Sequence, residues 1–166
     1  MNRNLLVVAV SLLGSGAVWG LQAKPGEDKT LAHFVGKWEA DGKHMGAPMK
    51  GTVEYAWALG KQFLKGDGRI MSGDGKFAYE YTIYLRPAEK EGTYSVTWLD
   101  NMGNIINSTM TLSGKTLAME WMEKTPIGDH PARSEITLTD QGWTDRSLIK
   151  EGEGWKELGS TNFKRK

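Results

Sequence analysis

From Gly36 onward, apolar and polar residues alternate with a period of two. In KFAYEYTIYL, Phe77, Tyr79, Tyr81, Ile83 and Leu85 share one face, and Glu80 and Thr82 lie on the other. TYSVTW repeats the pattern with Tyr94, Val96 and Trp98, TLAMEW with Leu117, Met119 and Trp121, and TVEYAWAL with Val53, Tyr55, Trp57 and Leu59. Alternation rich in aromatic and β-branched residues predicts half-buried antiparallel strands. The runs are separated by SGDGK, DNMGN, LSGK, TDQGW and EGEGW, whose Asp-Gly, Ser-Gly and Gln-Gly pairs suit tight hairpin turns. About ten strands at this spacing predict an all-β chain, an antiparallel up-and-down β-barrel whose closure leaves no exposed edge. Only KTPIGDHPARS, residues 124–134, reads as an irregular connection.

Before Gly36 the period is different. Leu31, Phe34 and Val35 fall at helical spacing behind Asp28 or Thr30 as a cap, which predicts a short N-terminal helix. His33 lies about 200° around that helix from Leu31 and is expected to face solvent, a bystander to the barrel. Residues 1–23 place Arg3 before an apolar run and end in small residues, the order of a signal peptide. The expected organisation is therefore a signal peptide over 1–23, a flexible lead over 24–30 and one barrel domain over 31–166. Such a protein would be periplasmic or secreted, with no membrane attachment after cleavage.

Composition narrows the reading. The formal net charge is +1, so the clustered basic excess that binds nucleic acid is missing. There is no cysteine, which excludes acylation as a lipoprotein and requires a core that is stable without disulfides. A domain of roughly 140 residues buries about 68–70% of its unfolded surface, which suffices. Oligomeric state leaves no mark on the pattern.

The histidines, His33, His44 and His130, stand apart from one another and have no cysteine to help them, so neither a metal site nor a cofactor is expected. Nucleophile elbows and phosphate loops are missing from the chain. The inward phase of the strands is more informative. It gathers Trp57, Tyr79, Tyr81, Trp98 and Trp121, an aromatic lining of the kind small-molecule sites use. In WTDRSLI, Asp145 and Ser147 share the face of Trp143 and Ile149; in the last strand, Glu157 and Thr161 share that of Trp155 and Phe163. A carboxylate directed into a barrel must be paired, protonated or hydrated. Arg69 or Arg133 could tie it down, or Asp145 could orient a ligand's polar group.

Gly36-Lys37-Trp38 resembles the opening of lipocalins and related calycin barrels, where the tryptophan packs across the closed end; the resemblance makes Gly36 and Trp38 a structural plug. LGKQFL at 59–64, Trp98-Leu99-Asp100 and the closing NFKRK look like a family of lipocalin-like bacterial exported proteins of unknown function. A further resemblance, through Gly36 and Trp38, is to nitrobindin, a ten-stranded barrel that holds haem through a histidine near its last strand. Here the last strand, WKELGSTNFKRK, has no histidine, so that ligand does not carry over.

The leading expectation is an exported, non-catalytic barrel that binds a small, partly apolar molecule against the aromatic set, with Asp145 as polar anchor. One alternative is a haem protein acting on reactive nitrogen species through His130 or His44. Another is a small hydrolase or isomerase with Asp145 and Glu157 as acid and base.

Overall fold

The structure, a computed structural model, describes residues 25–125 and 128–166. The expected signal peptide therefore lies outside the described residues. A 3-10 turn over Pro25–Glu27 leads into helix α1 (Lys29–Phe34), so the segment read as a lead is where the helix begins. Asp28 caps α1 by accepting from Leu31 N at 2.8 Å. Its other oxygen accepts from the Tyr94 hydroxyl at 3.4 Å, which fastens the helix start to the barrel.

Ten strands follow: β1 (Gly36–His44), β2 (Ala47–Ala58), β3 (Phe63–Ser72), β4 (Ala78–Pro87), β5 (Thr93–Asp100), β6 (Ile105–Ser113), β7 (Thr116–Thr125), β8 (Gly128–Thr139), β9 (Gly142–Glu151) and β10 (Gly154–Arg165). Each pairs antiparallel with its sequence neighbour, and β10 returns to pair with β1, closing the barrel. The alternation seen in the sequence becomes burial. On β4, Tyr81, Ile83 and Leu85 are buried while Glu80 and Arg86 are exposed.

Three expectations are corrected by local geometry. Phe77 is exposed rather than inward, because the β3–β4 hairpin closes on it: its N–H donates to Ser72 Oγ and its carbonyl accepts from Ser72 N. The ladder then starts at Ala78. The segment 124–134 is mostly a hairpin, with Glu123 opposite His130 and Met122 opposite Pro131. Most consequential is β10, where a register shift between Glu157 and Gly159 inserts an extra residue. A bulge of that kind reverses which side chains face in. Gly159, Thr161 and Phe163 pair with the inward Ser147, Asp145 and Trp143, whereas Trp155 and Glu157 pair with Lys150 and Leu148 and face outward.

The core is densest at the end covered by α1. Phe34, Trp38, Tyr55, Trp143 and Phe163 are all buried there. The Trp143 ring lies 4.6 Å from Trp38, 4.9 Å from Phe34 and 4.7 Å from Phe163, centroid to centroid. Gly36 and Trp38 thus form part of a floor. Trp38 Nε1 donates to the Phe34 carbonyl at 2.6 Å, and the Arg165 guanidinium lies 4.4 Å over the Trp38 ring. At Gly36, with φ +129°, a Cβ would come within 2.6 Å of that guanidinium. His33 is no bystander: it stacks on Trp38 at 6.1 Å and donates from Nε2 to the Gly142 carbonyl at 3.0 Å. The short helix lies across the barrel end, so its side away from Leu31 meets the β9 turn rather than water.

Among the described residues, no helix is long and apolar enough to cross a membrane. Outward strand positions carry ion pairs such as Lys37–Glu54, Lys65–Asp67 and Arg69–Glu80, the reverse of a membrane barrel's apolar belt.

Candidate functional site

Above the floor the lumen is lined differently. On β3, Gly66 and Gly68 face inward opposite Tyr55 and Tyr81. A Cβ at Gly66 would sit 2.3 Å from the Tyr55 ring, and one at Gly68 would sit 2.2 Å from the Tyr81 ring. The missing side chains let both phenol rings pack directly against the β3 backbone.

The Tyr81 and Trp98 rings are stacked at 4.2 Å with 18° between their planes. Tyr79 continues the stack at 5.7 Å from Tyr81 and 6.4 Å from Trp98. A polar relay orients it: Trp98 Nε1 donates to the Tyr79 hydroxyl at 2.9 Å, and that hydroxyl donates to Asp100 Oδ2 at 3.1 Å. Asp100 also accepts from Met102 N, Asn104 N and Asn104 Nδ2. Burial alone would raise its pKa, but these hydrogen bonds outweigh burial and hold the carboxyl below its ordinary value. The Trp-x-Asp of the sequence is therefore one device that ties a hairpin turn to the aromatic wall. The Tyr79 phenol is pushed well up, first by burial and then by the Asp100 charge.

Trp121 stands on β7, two strands from Trp98, its Nε1 donating to Glu123 Oε2 at 2.7 Å. The Glu123 charge adds slightly to the upward shift of the Tyr79 phenol. Trp57 lies apart, beyond Tyr55 toward the closed rim, where it packs against the core and borders an outer cleft with Lys37 and Glu54.

Asp145 occupies the middle of the lumen. Its Oδ1 accepts from Ser134 Oγ at 2.6 Å, the only hydrogen bond to this carboxylate among the described residues. The arginines that could have tied it down are engaged on the outer surface, Arg69 with Glu80 and Arg133 with Glu120 and Glu135. Burial pushes the Asp145 pKa up to about 6, with the Ser134 hydroxyl opposing the rise. Its charge in turn adds to the burial that raises Tyr55 and Tyr81, which places both phenols near it. Protein surrounds Asp145 on every side, yet the residue keeps some accessible surface.

Asp145 and Glu157 do not meet. Glu157 is exposed on the outer face, where its Oε2 accepts from Arg146 Nε at 2.9 Å. The acid–base pair expected from strand phase is undone by the β10 bulge. Gly159, midway between Trp155 and Phe163, was the visible trace of that bulge, since glycine inside a strand often marks one. Ser134 was missed altogether, although ARSEITL places it in phase with Ala132 and Ile136.

The residues present do not fit a haem ligated as in nitrobindin. The last strand directs Gly159, Thr161 and Phe163 inward. His44 is exposed at the end of β1, and His130 Nε2 is sealed within protein with no hydrogen-bond partner among the described residues. Among the described residues, no group of three or more His, Cys, Asp or Glu is arranged to hold a metal ion.

The chain thus forms a closed ten-stranded antiparallel β-barrel. No family model and no curated protein matches the chain. Among solved structures it is similar to Rv2717c from M. tuberculosis, with a TM-score of 0.62 and 16% identity over 84% of this chain and 98% of that one. It also overlaps a redesigned β-barrel, mFAP1, bound to DFHBI, with a TM-score of 0.46 and 13% identity over 83% of this chain and 100% of the other. At these identities the likeness concerns the fold.

Proposed function

We propose that this protein is an exported, non-catalytic barrel that takes a small, partly apolar molecule into its lumen. The observation that carries the reading is the contrast between position and burial along the wall. Tyr79, Trp98, Trp121 and Asp145 all point inward in a closed barrel, yet each keeps accessible surface. A solidly packed interior would have removed it. Ten strands enclose more width than eight, where side chains just fill the lumen or admit one small ligand. Tyr79, Tyr81, Trp98 and Trp121 supply apolar contact, and Asp145 anchors one polar group.

Calorimetric titration with a neutral aromatic probe, naphthylethanol, tests the reading. Saturable heat that disappears when Gly68→Leu drives the Tyr81 ring into the lumen supports it. Saturable binding unchanged by that substitution would place the probe elsewhere.

Export is supported by the charged, apolar and small-residue order of residues 1–23. The intact mass of protein recovered outside the cytoplasm checks it, the expected species beginning at Lys24. Membership of the lipocalin-like bacterial family is supported by segments whose roles are physical. Leu64 of LGKQFL is fully buried, and Asp100 of the Trp-x-Asp holds the turn and Tyr79.

A further inference from the structure

Accepting that the lumen takes a ligand, its charge pattern narrows the ligand's chemistry. Above the floor, the inward positions of the described strands carry three carboxylates, Asp100, Glu123 and Asp145, below an exposed rim where Lys156 and Glu151, also on the inward phase, pair with each other at 3.1 Å. Two of the three are spoken for. Asp100 accepts from Tyr79, Met102 and Asn104, and Glu123 accepts from Trp121. Asp145 differs. Ser134 occupies Oδ1, and the rest of the carboxylate faces the lumen with no cation near it.

Every element packed around Asp145 was built without a positive charge toward it. Strand β8 offers Ser134 and Ile136, β10 offers Thr161, β2 offers Tyr55 and β4 offers Tyr81. The charged neighbours on the same strands, Glu135 and Arg146, pair with each other on the outer surface. The inward histidines are at the mouth, His130 opposite Glu123 and His44 exposed at the end of β1. A carboxylate held in a low-dielectric interior without a counter-charge is costly, and a cation supplied from outside relieves that cost.

The wall beside it suits the same guest. Tyr81 and Trp98, stacked at 4.2 Å, present aromatic faces, which attract ammonium groups as well as flat apolar bodies. A carboxylate ligand would be repelled by the three acids, and a neutral alcohol would leave the charge on Asp145 uncompensated.

We propose that the lumen ligand is an amphipathic amine, its protonated nitrogen on Asp145 and its apolar or aromatic body against Tyr79, Tyr81 and Trp98. An outer trough of about 470 Å³ beside this wall, over β2 to β4, carries charges that are already paired, those of Arg69–Glu80 and Asp67.

The test compares three probes of one shape, naphthylethylamine, naphthylethanol and naphthylacetate, by calorimetry on the full mature chain. The amine is expected to bind at least about tenfold more tightly than the alcohol at about pH 7.5, and the acid more weakly than either. Asp145→Asn should bring amine and alcohol within about twofold of each other, with circular dichroism confirming an intact barrel. The wild-type protein supplies a second readout that needs no variant. Asp145 must give up its proton to receive the ammonium, so amine affinity should fall by up to about tenfold per unit as pH drops below about 6, while alcohol affinity stays level. Equal binding of all three probes, or an amine preference that survives Asp145→Asn, would overturn the amine and keep the binding barrel. Lack of saturable heat from every probe would overturn both.

Discussion

The two ends of this barrel are built on opposite rules. At the closed end, Phe34, Trp38, Tyr55, Trp143 and Phe163 bury one another, and the Trp38 N–H and His33 ring each reach a backbone carbonyl. In the lumen, aromatic rings of the same kind stay half-buried, and a carboxylate remains with a single hydroxyl for company. One end buries its aromatics, while the other leaves Tyr79, Trp98 and Trp121 partly accessible. The difference teaches that aromatic content alone does not locate a core, because burial depends on what stands opposite each ring. Trp143 is enclosed by four other rings, whereas the half-buried Trp98 stacks on Tyr81 and Tyr79.

Removing a ring from each end should break this comparison open. Trp143→Ala is expected to cost about 3–5 kcal/mol in denaturant unfolding, since its neighbours cannot collapse into the space. Trp98→Ala, at a half-buried position, should cost roughly 1–3 kcal/mol. Equal losses would show that the lumen is packed as tightly as the floor.

The second largest effect has the opposite sign. Asp145 ionises near the ordinary aspartate value of 3.8 in the unfolded chain and at about 6 in the folded one. As pH rises between these values the unfolded state loses its proton first, so stability from this group is full below about pH 4 and lost as pH rises through about 6. Asp145→Asn should therefore stabilise the protein by roughly 1–3 kcal/mol at about pH 7.5 and by almost nothing near pH 4. Thermal melts at the two pH values measure it. A stabilised variant that binds amine poorly would mark Asp145 as kept for function at a cost to stability.

A smaller loss separates the helix from the floor it covers. His33→Ala should cost about 1 kcal/mol through the lost bond to Gly142 and the lost stacking on Trp38. A solvated histidine would show no change. The smallest effect is expected outside the barrel: Glu157→Gln should shift stability by less than about 0.5 kcal/mol, because its bridge to Arg146 is exposed. Ligand affinity should be unaffected, and a clear loss would place Glu157 in the site after all.

Most of the barrel was legible as local pattern. Period-two alternation predicted the strands, and the Asp-Gly and Ser-Gly turns predicted where they end. Asp145 could be placed inward because β9 runs without interruption from Trp143 to Ile149. The same counting failed on β10, where one extra residue at Glu157/Gly159 reversed the faces and sent Trp155 and Glu157 outward. It failed again at Trp57, whose phase is right but whose height along the axis puts it beyond the floor. Phase is a local property of one strand; height and partner depend on the register of its neighbours.

Taken alone, the amino-acid order was enough to determine an all-β chain, its turns and the inward phase of most aromatic residues, because these follow from neighbours within a few positions. Only the closed structure decided that His33 seals the floor, that Gly66 and Gly68 hold Tyr55 and Tyr81 against the wall, and that Asp145 stands without a cation. Those outcomes depend on contacts between strands distant in sequence, which arise when β10 closes on β1 and a single lumen forms.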